Sequence, residues 1–228
     1  RLVGSEMCIR DSLGMVGPFS IDTMFPAFAQ MAVDLDTTPL ALQQLISVYL
    51  LSFAMMSLFH GPVSDAVGRK PVALIGVALF VLASLACALA PTLAWLLVGR
   101  ALQGLSAGAG QIISRAMVRD VFAGDRAQQV MSQIAMIFGL APALAPIVGG
   151  WLFVHVDWHG IFWLLALIGL LLWLGTWKFL PETLHPTHRQ PFEVGHLMRG
   201  YSELLSNRRF LLLAFASGVP FNGLFLYV

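Results

Sequence analysis

Six stretches of this sequence run for about twenty residues each with almost no charge, and they leave the chain few folds to choose from. In lipid, every backbone N–H and C=O has to be satisfied within the protein, so only helices and closed barrels cross a bilayer. A spanning helix takes roughly 20 mostly apolar residues. The stretches are Leu13–Val33, Ala41–His60, Val72–Ala90, Leu93–Ile113, Val130–Phe153 and Ile161–Leu180, and a seventh starts near Phe210 and is cut by the chain end at Val228. Barrel strands alternate apolar and polar residues over about 10 positions; these runs do not. With 58% hydrophobic and 11% charged residues, the chain is no ordinary soluble domain. The expectation is an all-α integral membrane protein in contact with the lipid bilayer.

The basic residues orient it. Arg69 and Lys70 follow the second span, Arg115, Arg119 and Arg126 the fourth, and Lys178, Arg189, Arg199, Arg208 and Arg209 lie at and after the sixth. The alternate loops, Asp34–Thr38, Pro91–Thr92 and Val154–Gly160, hold no Lys or Arg. Cytoplasmic loops carry the excess of basic residues, so the N-terminus and the loops rich in Arg and Lys are expected inside. Topology explains this asymmetry, and the net charge of +1 gives no reason to invoke a nucleic acid. Arg1–Ser12 is too polar and short for a signal peptide. It resembles a translated adaptor, and residues 1–12 are expected to be an artefactual or disordered tail.

Between the second and third spans lies Gly61-Pro-Val-Ser-Asp65-Ala-Val-Gly68-Arg69-Lys70-Pro71. It places a glycine at the expected helix end, an acid four residues on, and Gly-Arg-Lys to restart. The segment resembles the signature loop of the major facilitator superfamily, G-x-x-x-D-R-x-G-R-[RK], with Ala66 where the family usually has Arg. The resemblance covers residues 13–228. It implies a six-helix half (13–180) built of two inverted three-helix repeats, a cytoplasmic linker (181–209), and a truncated seventh transmembrane helix (210–228). The missing C-terminal half of the same chain would be its partner. Within the linker, Leu197, Tyr201, Leu204 and Leu205 share one helical face, as in a short helix on the membrane surface.

Two residues carry charge deep into spans. Asp22 lies about nine residues, ~13 Å, into the first. Pro26, four residues on, cannot donate to its carbonyl and should kink the helix. An ionisable group at that depth costs about 3 kcal/mol on insertion scales and usually faces a cavity or a partner. Arg100 lies about seven residues into the fourth span, near the level of Asp22, and cannot lose its charge. Gln103 continues its face. Arg100-Ala-Leu-Gln103-Gly104 resembles the superfamily's R-x-x-Q-G motif, which implies proton coupling with Asp22 as the electrostatic partner. Tyr49, in the second span, is a candidate to offer its ring to a lipophilic substrate. In the fifth span, Pro142, Pro146, Gly149 and Gly150 resemble the antiporter motif G-x-x-x-G-P-x-x-G-G, with Ala141 and Ala145 in place of its leading glycines.

Together these motifs are similar to the drug–proton antiporter branch that includes bicyclomycin and chloramphenicol exporters. The resemblance implies export of lipophilic or weakly polar drug-like molecules in exchange for protons, across a bacterial plasma (inner) membrane, by a multi-pass protein. Asp22, Arg100, Gln103 and Tyr49 would serve coupling and substrate, and Gly61, Asp65, Gly68, Arg69 and Lys70 the conformational equilibrium. Proton-coupled uptake of a nutrient is the alternative. No cofactor beyond the proton gradient is expected, since no phosphate loop is present. The sequence holds no G-x-S-x-G elbow, and its only lysines, Lys70 and Lys178, sit at span ends, which excludes a retinal Schiff base. His155, Asp157 and His159 have ligand types at spacing two, but with no fourth ligand no metal is expected.

The topology is testable by labelling. Thr37→Cys and Thr187→Cys, each in a background without other cysteines, should react with an impermeant thiol reagent from opposite sides of the membrane. Labelling of both from outside intact cells would contradict the assignment.

Overall fold

A computed structural model of the chain describes residues 2–190 and 192–227, and among them the regular structure is helical, with no strand. It divides into two units, Arg1–Gln190 and Pro191–Val228. In the first, α1 (Leu2–Asp22), a 3₁₀ turn (Phe25–Ala27) and α2 (Phe28–Asp34) make up the first span. They are followed by α3 (Pro39–Val67), α4 (Arg69–Ala88), α5 (Leu93–Val121), α6 (Gly124–His155) and α7 (Trp158–Phe179). The second unit holds α8 (Val194–Ser206) and α9 (Arg208–Tyr227).

Polar residues in the loops without basic charge start the odd-numbered long helices. Thr38 Oγ1 accepts from Ala41 N at 3.2 Å, ahead of Pro39 in the first turn of α3. Thr92 Oγ1 accepts from Trp95 N at 3.3 Å at the start of α5, and Asp157 accepts from His159 N at the start of α7. Such caps satisfy donors the helix cannot use itself. Trp158 is buried, and its indole N–H donates to Asp34 at 2.9 Å. The bond joins the start of α7 to the end of α2.

The bundle is organised around α5. It packs on α3, α4 and α1, while α7 packs on α4 and α6 on α1. One apolar cluster joins Met24, Met31, Leu42, Leu45, Leu96, Ala141, Ala145 and Phe162, and a second joins Leu13, Val77, Ala109, Ile113 and Leu180. Among the described residues four helices, α3, α4, α6 and α7, are long and apolar enough to cross a membrane. The first and fourth spans do not reach that standard. α1 stops at Asp22, and α5 carries Arg100, Gln103, Gln111, Arg115 and Arg119.

Several expected boundaries move. The helix of the second span does not end at Gly61 but runs through Pro62 to Val67, with Ser64 Oγ donating to the Gly61 carbonyl at 2.8 Å. The expected loop shrinks to Gly68. Residues 2–12, expected as a tail, extend α1: the segment holds no proline, and Arg10 is buried. The linker divides at 190/191, because Leu180 and Leu184 are buried with the first unit. In the second unit, α8 shows exposed Met198, Leu204 and Leu205, and Asn207 Oδ1 accepts from Arg209 N (3.0 Å) and Phe210 N (3.3 Å) to start α9.

Candidate functional site

The site begins where the first span breaks. Pro26 offers no N–H to the carbonyl of Asp22, and Thr23 Oγ1 turns back to the Phe19 carbonyl. α1 therefore ends at Asp22, and the chain passes through the 3₁₀ turn before α2. Asp22 is only 7% exposed. Among the described residues its side chain makes no hydrogen bond and no ion pair.

Arg100 sits beside this break and is fully buried. Its Nη1 donates to the Ser20 carbonyl at 3.3 Å and to Gln103 Oε1 at 2.8 Å, and its guanidinium lies 4.2 Å from the centre of the Tyr49 ring. Gln103 Nε2 donates to Ser84 Oγ (2.7 Å), which donates to the Phe80 carbonyl (2.7 Å). On the other side, Ser20 Oγ bonds the Tyr49 hydroxyl (3.0 Å) and the Gly17 carbonyl (2.8 Å), and Tyr49 Oη donates to Gly17 O at 3.2 Å. One polar chain thus runs from α4 through α5 to α1 and α3. Nε and Nη2 of Arg100 have no partner.

The expected Asp22–Arg100 ion pair is not formed, and magnitudes show why the cation does without it. Burying Arg costs about 3 kcal/mol on insertion scales. Hydrogen bonds to a charged group contribute about 1.5–3 kcal/mol each, and a desolvated cation–π contact about 2 kcal/mol. Two such bonds and the Tyr49 ring offset part of the cost with neutral groups alone, while Nε and Nη2 stay without a partner. Tyr49 itself, expected as a ring for the substrate, is fully buried between Arg100 and α1 and supports the cation instead. Ser20 and Ser84 were not legible as site residues, because a serine in a span carries no signal of its own.

The fifth-span motif meets the same break. α6 runs unbroken through Pro142 and Pro146, with Ala141 and Ala145 fully buried in the apolar core. Farther along, the Gly149 backbone lies so close to Thr23 that a Cβ at 149 would collide with the Thr23 carbonyl oxygen, whereas one at Gly150 would make ordinary contact with Pro26. A glycine in α6 therefore lets two backbones touch one residue from Asp22.

The remaining signature residues form a separate cluster at the α3–α4 junction. Arg69 pairs with Asp65 (2.5 Å) and with Asp120 at the end of α5 (Nε–Oδ2 2.9 Å), and its Nη1 donates to Ser64 Oγ at 2.6 Å. Burial works against its charge, and the two carboxylates Asp120 and Asp65 answer it. Lys70 Nζ donates to the Trp177 carbonyl at 2.9 Å. Gly61 has open space where a Cβ would stand and joins this junction only through its carbonyl, which accepts from Ser64 Oγ. The loop pattern of His155, Asp157 and His159 is local: His155 bonds the Trp151 carbonyl (2.8 Å) and His159 pairs with Asp157 (2.9 Å). Among the described residues no group could hold a metal.

The family description "Major Facilitator Superfamily" matches residues 12–228. The chain belongs to that superfamily. It is 34% identical over 216 residues to a bicyclomycin resistance protein homolog of Haemophilus influenzae, covering 95% of this chain and 54% of the relative. It is 38% identical over 218 residues to the uncharacterized MFS-type transporter YdgK of Bacillus subtilis, again 95% and 54%. The multidrug resistance protein MdtL of Escherichia coli is 37% identical over 172 residues, 75% of this chain and 44% of that one. The chain spans about half the length of the curated relatives it matches. The two names that mention resistance agree with the drug–proton antiporter branch. The human organic anion transporter MFSD10 (TETRAN) has the same fold, with a TM-score of 0.65 at 21% identity over 82% of this chain and 50% of that structure. This superfamily member is a multi-pass membrane protein.

The contact at Gly149 sets an asymmetric test. Gly149→Ala forces α6 from α1, and overpacking of this kind costs about 1–3 kcal/mol; the melting temperature of the purified protein should fall. Gly150→Ala should leave it nearly unchanged. Equal effects of the two substitutions would show that the close approach is absent.

Proposed function

We propose that this chain is the first half of a secondary exporter, which exchanges inward-moving protons for lipophilic or weakly polar drug-like molecules across a bacterial inner membrane. The observation that carries the reading is the break in the first span, which leaves Asp22 as a buried acid without a partner, two residues past the Ser20 carbonyl that Arg100 holds. An acid in that position can take up and release a proton without dismantling the Arg100 network. The names of the relatives support drugs as the cargo, and the resemblance of Pro146, Gly149 and Gly150 to the antiporter motif supports the direction.

In this reading the two halves of the transporter rock about a midplane site, with the N-terminus and the linker in the cytoplasm. Asp22 carries the proton. Arg100 holds the broken end of α1 through the Ser20 carbonyl, and Gln103 and Tyr49 hold Arg100. Asp65 and Arg69 set the balance between inward- and outward-facing states, since a bridge at a helix junction that exists in one state biases toward it.

The test uses the full-length transporter, with bicyclomycin as the first probe. Asp22→Asn keeps size and polarity but cannot ionise. It should abolish export against a gradient and proton release on drug binding, while drug binding itself survives. Arg100→Lys should also lose export, because Lys lacks the planar guanidinium that packs over the Tyr49 ring while one nitrogen reaches Ser20 and Gln103. Undiminished proton release and export in Asp22→Asn would place the proton site elsewhere and refute the reading.

A further inference from the structure

α4 starts without a cap of its own. Its N-cap residue, Gly68, has no side chain to accept a hydrogen bond, and its first turn holds no acid. The N–H groups of Arg69 and Lys70 are donors the helix cannot satisfy, at the positive end of its dipole. One distant carboxylate answers both. Glu182, in the segment after α7, accepts from Arg69 N at 2.9 Å through Oε1 and from Lys70 N at 3.2 Å through Oε2. Oε1 also accepts from Leu184 N at 3.1 Å, which fixes the carboxylate on its own segment. Gly68 has φ +121°, and a Cβ there would meet Glu182 Oε2 at 2.5 Å. The second signature glycine leaves the space that this carboxylate fills.

The exchange runs in the other direction too. The last carbonyls of α7 lack helical partners and favour a cation, and Lys70 Nζ, from the first turn of α4, donates to that of Trp177 at 2.9 Å. Two more bonds hold the stretch that carries Glu182: Thr183 Oγ1 donates to Asp120 Oδ2 (3.2 Å), and Gln190 N donates to the Asp65 carbonyl (3.2 Å). Both acids are the partners of Arg69.

We infer that Glu182 and Lys70 are reciprocal helix caps that latch Pro181–Gln190 onto the α3–α4 junction, and that Glu182 is thereby a positioning residue for Arg69. The backbone of Arg69 is held by Glu182 and its side chain by Asp65 and Asp120, so the bridge and the cap stand or fall together. The inference rests on reading that junction as the element that sets the conformational equilibrium.

Hydrogen exchange of the full-length transporter in lipid nanodiscs tests this. Losing a cap weakens the first turn, so Glu182→Ala should speed exchange of the Arg69 and Lys70 amides by about five- to thirty-fold, with Ala83–Ala88 unchanged. Glu182→Gln, which keeps one acceptor oxygen, should fall between. Gly68→Ala, with Glu182 intact, should give the same deprotection by filling its site. Each variant should change the turnover of bicyclomycin export and leave its equilibrium affinity unaltered. Unchanged exchange at Arg69 and Lys70 in both Glu182→Ala and Gly68→Ala overturns the caps, whatever transport does. Faster exchange with normal turnover overturns the positioning role. If exchange quickens but Asp65→Asn exports normally, the caps stand and the reading of the junction fails.

Discussion

A guanidinium that cannot lose its charge, set where four helices exclude water, has to be answered by whatever those helices offer. Here the answers come from α1 (the Ser20 carbonyl), α3 (the Tyr49 ring) and α5 itself (Gln103, steadied by Ser84 of α4). Each of these contacts depends on the packing of the helix that supplies it, so Arg100 ties α1, α3 and α5 together. Shifting any one leaves a buried charge short of acceptors, which costs more than the bond was worth. The apolar clusters fill the space around this network. They do not determine where it lies.

The same accounting of unsatisfied groups governs the other end of the bundle. A helix start with no cap and a helix end with free carbonyls lie side by side at α4 and α7, and each provides the charge the other lacks. Between the two ends, α5 carries Arg100 at one level and Asp120 at the other. A single helix therefore connects Arg100 and its network to the junction that the signature loop occupies.

Hydropathy made α3, α4, α6 and α7 legible in the sequence, because their apolar runs are long and nearly uncharged. It described α1 and α5 less well, for the reason that makes them interesting: polar groups interrupt their apolar faces, and those groups form the site. Asp22 with Pro26 announced the break, and the spacing of Gln103 from Arg100 announced their contact. The Asp22–Arg100 pair was a reasonable expectation from depth alone, but depth cannot tell that the cation turns to a carbonyl, an amide and a ring. Asp120 and Glu182 escaped notice because their partners are 51 and 113 residues away, and capping rules read only neighbours in sequence. Gly68 stood out as a motif residue, while its reason, room for a carboxylate from the linker, depends on the fold.

The central claim is that Asp22 stands alone at the break in the first span, not bonded to Arg100, and is therefore able to exchange a proton. Infrared difference spectra of the full-length transporter, recorded as bicyclomycin binds, observe that carboxyl directly. The account predicts loss of a protonated carboxylic-acid carbonyl band and gain of carboxylate bands, both missing from Asp22→Asn. A difference spectrum that Asp22→Asn leaves unchanged would contradict it.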